Sequence, residues 1–542
     1  MNASASKARR RPKSWGGAGG LVRSLAVLLF CTAQIFPAAT ARAQVPYANP
    51  VMAGDHPDPS ILRVGRDFWA TATSSEWGPQ FPLLHSTDLV NWELVGSIFP
   101  HRPAWASENF WAPEISECQG RYQIYYVGRK AGGPLAVAVA TSDQPAGPYV
   151  DHGPLVAQAD GSIDPAPATD EDGVRYLLWK EDGNSRQRPT PIWAQRLNED
   201  GTKLVGEPKE LIRNDAGWEG GLVEGPFVLR RGEWFYLFYS GNGCCGTGCN
   251  YALGVARSHH LLGPWEKNPA NPILAGNATW KCPGHGSIVT DEQGRCWLLY
   301  HAYSTGGSIF TGREGMLDEV KFGADGWPTI NDGQGPSIKA VSPFGEAQHK
   351  IETSFTDNFS TAELLPGWQW PQHREPAYHL HNGQLTLTAR DRSTNLLAAV
   401  LARSTMTADY VATTTVDRRN LKPGCAAGLC AFGDSDNAVG LAVAPDKIIT
   451  WRRDKGSTRH LTEQGAVTGD KIFLRLTARQ GYRFELAISS DGVKWLALGE
   501  TSDAKELPPW DRSVRVALTV GGAPDAAGVF DSFGIKPLPN KN

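Results

Sequence analysis

One short pattern recurs five times between residues 55 and 330, and it constrains this 542-residue chain more than any other feature. A turn leads into a strand rich in aromatic residues. The copies read Arg66-Asp-Phe-Trp-Ala-Thr-Ala, Gly120-Arg-Tyr-Gln-Ile-Tyr-Tyr, Gly173-Val-Arg-Tyr-Leu-Leu-Trp, Gly232-Glu-Trp-Phe-Tyr-Leu-Phe-Tyr and Gly294-Arg-Cys-Trp-Leu-Leu-Tyr. Their spacing is about 55–60 residues, and a second strand ending in a turn follows each. No helical period runs through these segments. Short strands at even spacing, joined by turns, form four-stranded units that stack around an axis. The chain's 59 Gly and 38 Pro supply the turns, and its 19 Trp suit an aromatic-rich cleft. The expected fold is all-β, with a five-bladed β-propeller over residues 44–340. A long β-sandwich is the rival reading, and five ordered copies argue against it.

After residue 340 the repeat stops. A Gly/Ser/Pro-containing connector leads to alternating strands at 384–389, 411–416, 438–444, 447–453, 472–479, 482–489 and 514–520. These predict a C-terminal β-sandwich of jelly-roll, concanavalin-like form over residues 350–540.

The first 43 residues are of another kind. Six Lys/Arg and no acid occupy residues 1–23, an apolar run follows from Leu25 to Phe36, and Ala41-Arg42-Ala43 ends the segment. A basic start, a short apolar stretch and a small-x-small site read as a secretory signal, and the run is shorter than the roughly 20 residues that span a bilayer. The expected location is secreted or periplasmic, with no membrane attachment after cleavage. Removing this segment takes seven Lys/Arg and no acid, so the net charge moves from −3 to −10. That charge excludes nucleic acid as a partner, since phosphate binding needs a basic surplus. It fits a neutral substrate.

Cleavage also leaves eight cysteines, 118, 244, 245, 249, 282, 296, 425 and 430. An even number in an exported chain favours disulfides, and all eight can pair. Cys425 and Cys430 are placed to close a small loop. The run Cys244-Cys245-Gly-Thr-Gly-Cys249 has a metal cluster as its alternative, but no His-x-His accompanies it.

In a propeller the innermost strand of each unit lines the central channel. Polar residues that open these strands therefore converge at one mouth. They are Asp58 in HPDPSI, Glu114 in WAPEI, Asp164 in SIDPAP, Glu224 in VEGPF and His285 in GHGSI. Each acid alone reads as a turn cap or a surface ion pair. Equivalent placement in five successive repeats points instead to a carboxylate cluster, which mutual repulsion and burial make costly unless it is used. Paired carboxyls in unlike surroundings are what glycoside hydrolysis requires: one ionised to activate water, one protonated to serve the leaving oxygen.

The ordered set HPDPSI, NFWAPEI, SIDP, EGPF, GHGS and GREG resembles glycoside hydrolase family 43 over about residues 46–330. Length and trailing sandwich resemble its two-domain β-xylosidases and α-L-arabinofuranosidases. The resemblance implies an inverting enzyme acting on pentose glycans of plant cell walls. It implies Asp58 as general base, Glu224 as general acid, and Asp164 as the carboxylate that tunes and orients the acid. Inversion predicts roughly 6.5–9.5 Å between the carboxyls of Asp58 and Glu224. Trp111 resembles the aromatic sugar platform, with a core tryptophan as the alternative. Arg313 resembles the arginine that reaches sugar hydroxyls, with an ion pair to an active-site acid as a compatible second role. His285 resembles the axial histidine that sits beside Ca²⁺ or water. No cofactor is required, and a channel Ca²⁺ would take mostly oxygen ligands and waters. The CCGTGC insertion is expected to form a disulfide-stiffened loop on the leaving-group side. A sandwich loop is expected to close one side of the pocket; Trp368 and Trp370 are candidates for it, with the interdomain seam favoured for both. An endo-arabinanase and a non-catalytic glycan-binding propeller are the alternatives in function.

Overall fold

The computed structural model describes residues 45–344, 351–390, 392–465 and 468–539. The expected signal at 1–43 lies outside them. Residues Ser60 to Ile330 form five antiparallel sheets of four strands each. Their first strands are Ser60–Val64, Ala106–Cys118, Ser162–Thr169, Val223–Arg231 and Trp280–Thr290. These strands touch one another in cyclic order, and the fifth closes on the first. At the closure, Pro46–Ala48 pairs with Lys339–Val341. Asn49 Nδ2 donates to the carbonyls of Leu317 and Ser337, which ties the start of the ring to its end.

The aromatic strands of the repeat are the second strand of each sheet. They are apolar on both faces because both faces are buried. Tyr126 and Ile124 pack toward the first sheet, and Tyr125 and Val127 toward the third. Phe235, Leu237 and Tyr239 face the third sheet, and Tyr236 and Phe238 face the fifth. Trp297 and Leu299 complete the ring against Phe68 and Ala70. The core is therefore a circle of clusters between adjacent sheets, and large side chains fill the wedge that opens as twisted sheets fan outward.

Residues Phe355 to Pro537 form a nine-stranded and a six-stranded sheet with an apolar core between them. All seven segments expected there are strands. The outer face of the six-stranded sheet is also buried, under Trp77 of the propeller. Trp77 meets Phe432 edge-on at 5.5 Å between ring centroids. Trp370–Pro371 pairs with Trp77–Gly78 across this seam. Trp370 thus stands at the seam, whereas Trp368 is buried in the sandwich core with its Nε1–H on Asp357 Oδ2.

The cysteines correct the expectation that all eight pair. Two disulfides form, Cys244–Cys245 and Cys249–Cys282, while Cys118, Cys296, Cys425 and Cys430 are free. The loop closure expected for Cys425 and Cys430 fails for a geometric reason. They lie five positions apart, Cys425 directly before the strand Ala426–Phe432 and Cys430 within it, and this odd spacing turns them to opposite faces. Cys425 packs into the sandwich core and Cys430 into the cluster beneath Trp77.

Candidate active site

The same kink lies in, or just before, each first strand. Asp58, Ala112, Asp164, Gly225 and His285 all adopt the left-handed conformation, at φ 51°, 42°, 56°, 57° and 41°. The ladder register breaks beside Ala112, Asp164, Gly225 and His285. A bulge at the channel mouth re-aims the strand there, and non-glycine residues in this conformation mark stored strain. Gly225 is required by space, because a Cβ there would stand 2.9 Å from the His285 ring. Its N–H donates to Asp164 Oδ2 at 2.9 Å.

The kink corrects the equivalence assumed from sequence. Asp58, Asp164 and His285 do occupy matching positions. Glu224 stands one residue before its kink, level with Trp111, and Glu114 stands two residues after. Asp58, Asp164, Glu224, His285, Trp111 and Arg313 all line one cavity of about 460 Å³. Glu114 is not part of that wall. It hydrogen-bonds Ser60, and burial pushes its carboxyl up to about 8.

Asp58 is the most heavily supported carboxylate. Arg313 Nη1 donates to its Oδ1 at 2.8 Å and Thr73 Oγ1 to its Oδ2 at 2.6 Å. Burial, the largest single effect, would raise its pKa, but Arg313, His285 and His301 together outweigh it and hold the group well below the usual carboxylate range. His301 Nδ1 accepts the Asp58 N–H at 3.0 Å, and burial lowers the ring's own pKa to about 4. Asp164 is the opposite case. Burial first, then the charges of Glu224 and Asp58, push it above the usual range, against His285 and Lys180. His285 Nδ1 lies between these two acids, 3.5 Å from Asp58 Oδ1 and 3.9 Å from Asp164 Oδ2.

Glu224 has a cation beside it as well as the anion expected from sequence. The buried Lys180 Nζ contacts Glu224 Oε2 at 2.7 Å and Asp182 Oδ1 at 3.0 Å. A signal for it was present. The residue directly after each aromatic run is Thr73, Val127, Lys180, Ser240 or His301. Four of these are polar, and each reaches the first strand of the next sheet. Thr73 Oγ1 accepts from Ala112 N, Lys180 binds Glu224, Ser240 Oγ accepts from His285 N, and His301 accepts from Asp58 N. A polar side chain closing a buried strand is the pattern that would have revealed them.

Trp111 lines the cavity and meets Trp510 edge-on at 5.9 Å, so it is a wall residue and not a core tryptophan. Trp510 comes from the sandwich and is 61% exposed. The next residue, Asp511, accepts Arg313 Nη2 at its carbonyl at 3.1 Å. Arg313 therefore spans the general region of Asp58 and the sandwich wall. A buried pair fixes that junction: Arg515 Nη1 sits 3.1 Å from Asp55 Oδ2, and Asp55 also accepts the N–H groups of Ser513 and Arg313. The pocket-closing role considered for Trp368 and Trp370 thus falls to Trp510 and Asp511.

Ca²⁺ takes six to eight oxygens. Near His285 the carboxylates of Asp58 and Asp164 are the charged oxygens at hand, and Asp58 is already paired with Arg313, so a bound Ca²⁺ would take most of its ligands from water. Among the described residues no three His, Cys, Asp or Glu side chains gather at metal-ligand spacing.

Comparison with known proteins places this geometry. The model for glycosyl hydrolases family 43 matches residues 47–328, and that for the β-xylosidase C-terminal concanavalin A-like domain matches residues 356–509. A xylan 1,3-β-xylosidase of Vibrio is 27% identical over 507 residues, 85% of this chain and 91% of its own length. Xylosidase/arabinosidase 43B of Humicola insolens is 32% identical over 63% of this chain and 66% of its own length. The crystal structure of a family-43 protein from Bacillus licheniformis superposes with a TM-score of 0.80 at 27% identity, covering 91% of this chain and 100% of that one. With carboxyls gathered at one propeller mouth and a concanavalin-like sandwich against its side, the chain belongs to glycoside hydrolase family 43.

Proposed function

We propose that this glycoside hydrolase is an exported, inverting exo-enzyme. It removes terminal β-D-xylosyl or α-L-arabinofuranosyl residues from plant cell-wall oligosaccharides and polysaccharides. The observation that carries the reading is the unequal treatment of the carboxyls in one cavity. Asp58 is kept ionised by Arg313, as a base that activates water must be. Asp164 is held toward its protonated form beside Glu224, so a proton is kept on the acid side of the pocket. Glu224 delivers a proton to the leaving oxygen. Asp164 holds the Gly225 N–H and so fixes the backbone that carries Glu224.

Trp111 offers a flat face to the sugar's C–H surface. Trp510 and Asp511 add a wall from the sandwich, which supports removal of single terminal sugars over cleavage within an open groove. The names of the relatives, xylosidase and arabinosidase, support the pentose class. Hydrolysis of nitrophenyl β-D-xyloside and nitrophenyl α-L-arabinofuranoside tests the activity, and products from xylo- and arabino-oligosaccharides test the mode. Single pentoses are expected. Turnover of neither glycoside nor arabinan would leave a glycan-binding module, and internal cleavage of arabinan would make the enzyme endo-acting.

A further inference from the structure

The disulfide between the adjacent residues Cys244 and Cys245 is not buried as a staple. Both cysteines are half-buried, and both line the cavity that holds Glu224 and Trp510. Joining neighbouring cysteines closes a small ring that includes the peptide between them. Such a ring has few conformations. Its two sulfurs are polarisable and form at most weak hydrogen bonds.

The loop that presents this ring is held from several sides. Cys249 is bonded to Cys282, three residues before His285. Cys244 packs against the cluster of Tyr251, Cys282, Tyr303 and Ile309, and Gly246 N–H reaches the Tyr303 hydroxyl at 3.5 Å. Its place is set by the sheet. Glu224 pairs with Ser240, and the chain reaches Cys244 four residues later. The ring therefore stands on the Glu224 side of the cavity. Across the same wall Asp182, Asn184 and Ser185 are polar.

We propose that the Cys244–Cys245 ring is the contact surface for the leaving-group sugar, a rigid sulfur face that takes the apolar C–H side of the residue released by cleavage. The inference rests on Glu224 being the general acid, because the leaving oxygen must lie beside that residue. A rigid apolar surface in a cavity that also carries polar groups matches a sugar, which has a C–H face and a hydroxyl rim.

The test compares two substrates that share a glycosyl group and differ in what leaves: the pentobiose the enzyme cleaves, and the matching pentosyl fluoride. A fluoride is too small to reach the ring. In Cys244→Ser/Cys245→Ser, KM for the pentobiose should rise about fivefold to tenfold, the scale of a lost sulfur contact. Its kcat and both constants for the fluoride should stay within about twofold. Equal losses on both substrates would make the ring a scaffold element, and no loss on either would remove it from substrate binding; each result overturns the proposal. Where the double variant does not fold, Cys245→Ser alone opens the ring and reads the same comparison. Failure of the wild type on both substrates would instead refute the proposed function.

Discussion

Replacing Arg313 by Met tests whether Asp58 is the base and whether the arginine is what keeps it ionised. The side chains are the same ion pair that the cavity presents, at 2.8 Å and both largely buried. Removing one member of a buried pair costs about 3–5 kcal/mol, because the other charge stays desolvated. At 1.36 kcal/mol per unit, that raises the protonation midpoint of Asp58 by roughly two to four pH units. The direction follows from the chemistry. A base works as the carboxylate, so activity is lost as the pH falls through the new midpoint. In the wild type that midpoint lies well below the usual range, and Asp58 sets no acid limb under ordinary assay conditions. In the variant, kcat/KM should decline through the ordinary carboxylate range. A lost sugar contact would add a pH-independent factor, which leaves the shape of the profile unchanged. Arg313→Lys, which keeps a cation, should restore most of the wild-type shape. Variant and wild type with superimposable acid limbs would refute the reasoning.

Further outcomes follow from the same geometry. Glu224→Ala should lower kcat on a pentobiose about 10²- to 10⁴-fold and spare nitrophenyl glycosides much more, since a good leaving group needs little protonation; equal loss on both would contradict the acid role. Cys249→Ser/Cys282→Ser removes a link across 33 residues, worth about 3–4 kcal/mol by loop-closure entropy, and should lower the calorimetric melting temperature by several degrees; an unchanged temperature would contradict it. Burial pushes the Glu314 carboxyl from 4.5 up to about 8, so its contribution to stability is complete below 4.5 and is lost as pH rises through about 8. Glu314→Gln should therefore flatten the fall in melting temperature over that window, and parallel curves would show that Glu314 does not titrate there.

The propeller was legible because its second strands are buried on both faces. Runs such as Phe235-Tyr-Leu-Phe-Tyr239 have no solvent side to vary, so their pattern survives in every repeat. The catalytic candidates were legible for a related reason: they open the strands next to those runs. What was lost came from register and parity. The left-handed kink at Asp58, Ala112, Asp164, Gly225 and His285 sets the true equivalence, which put Glu224 one place and Glu114 two places from it. The odd spacing of Cys425 and Cys430 already forbids their pairing. Lys180 and His301 ended apolar runs in plain view, as polar residues that a buried strand must satisfy. Trp510 and Asp511 had no such signal. They reach the site through the docking of the sandwich, fixed by Asp55 and Arg515, whose positions are 460 residues apart in the chain. No local pattern encodes a contact of that range.

The proposed reaction is direct displacement by water activated at Asp58, with Glu224 assisting departure. Time-resolved proton NMR of a nitrophenyl glycoside during hydrolysis tests it most directly, before the released sugar mutarotates. From nitrophenyl β-D-xyloside the first anomer should be α-xylose, and from nitrophenyl α-L-arabinofuranoside it should be β-arabinose. First appearance of the anomer with retained configuration would require a covalent intermediate and would contradict the account.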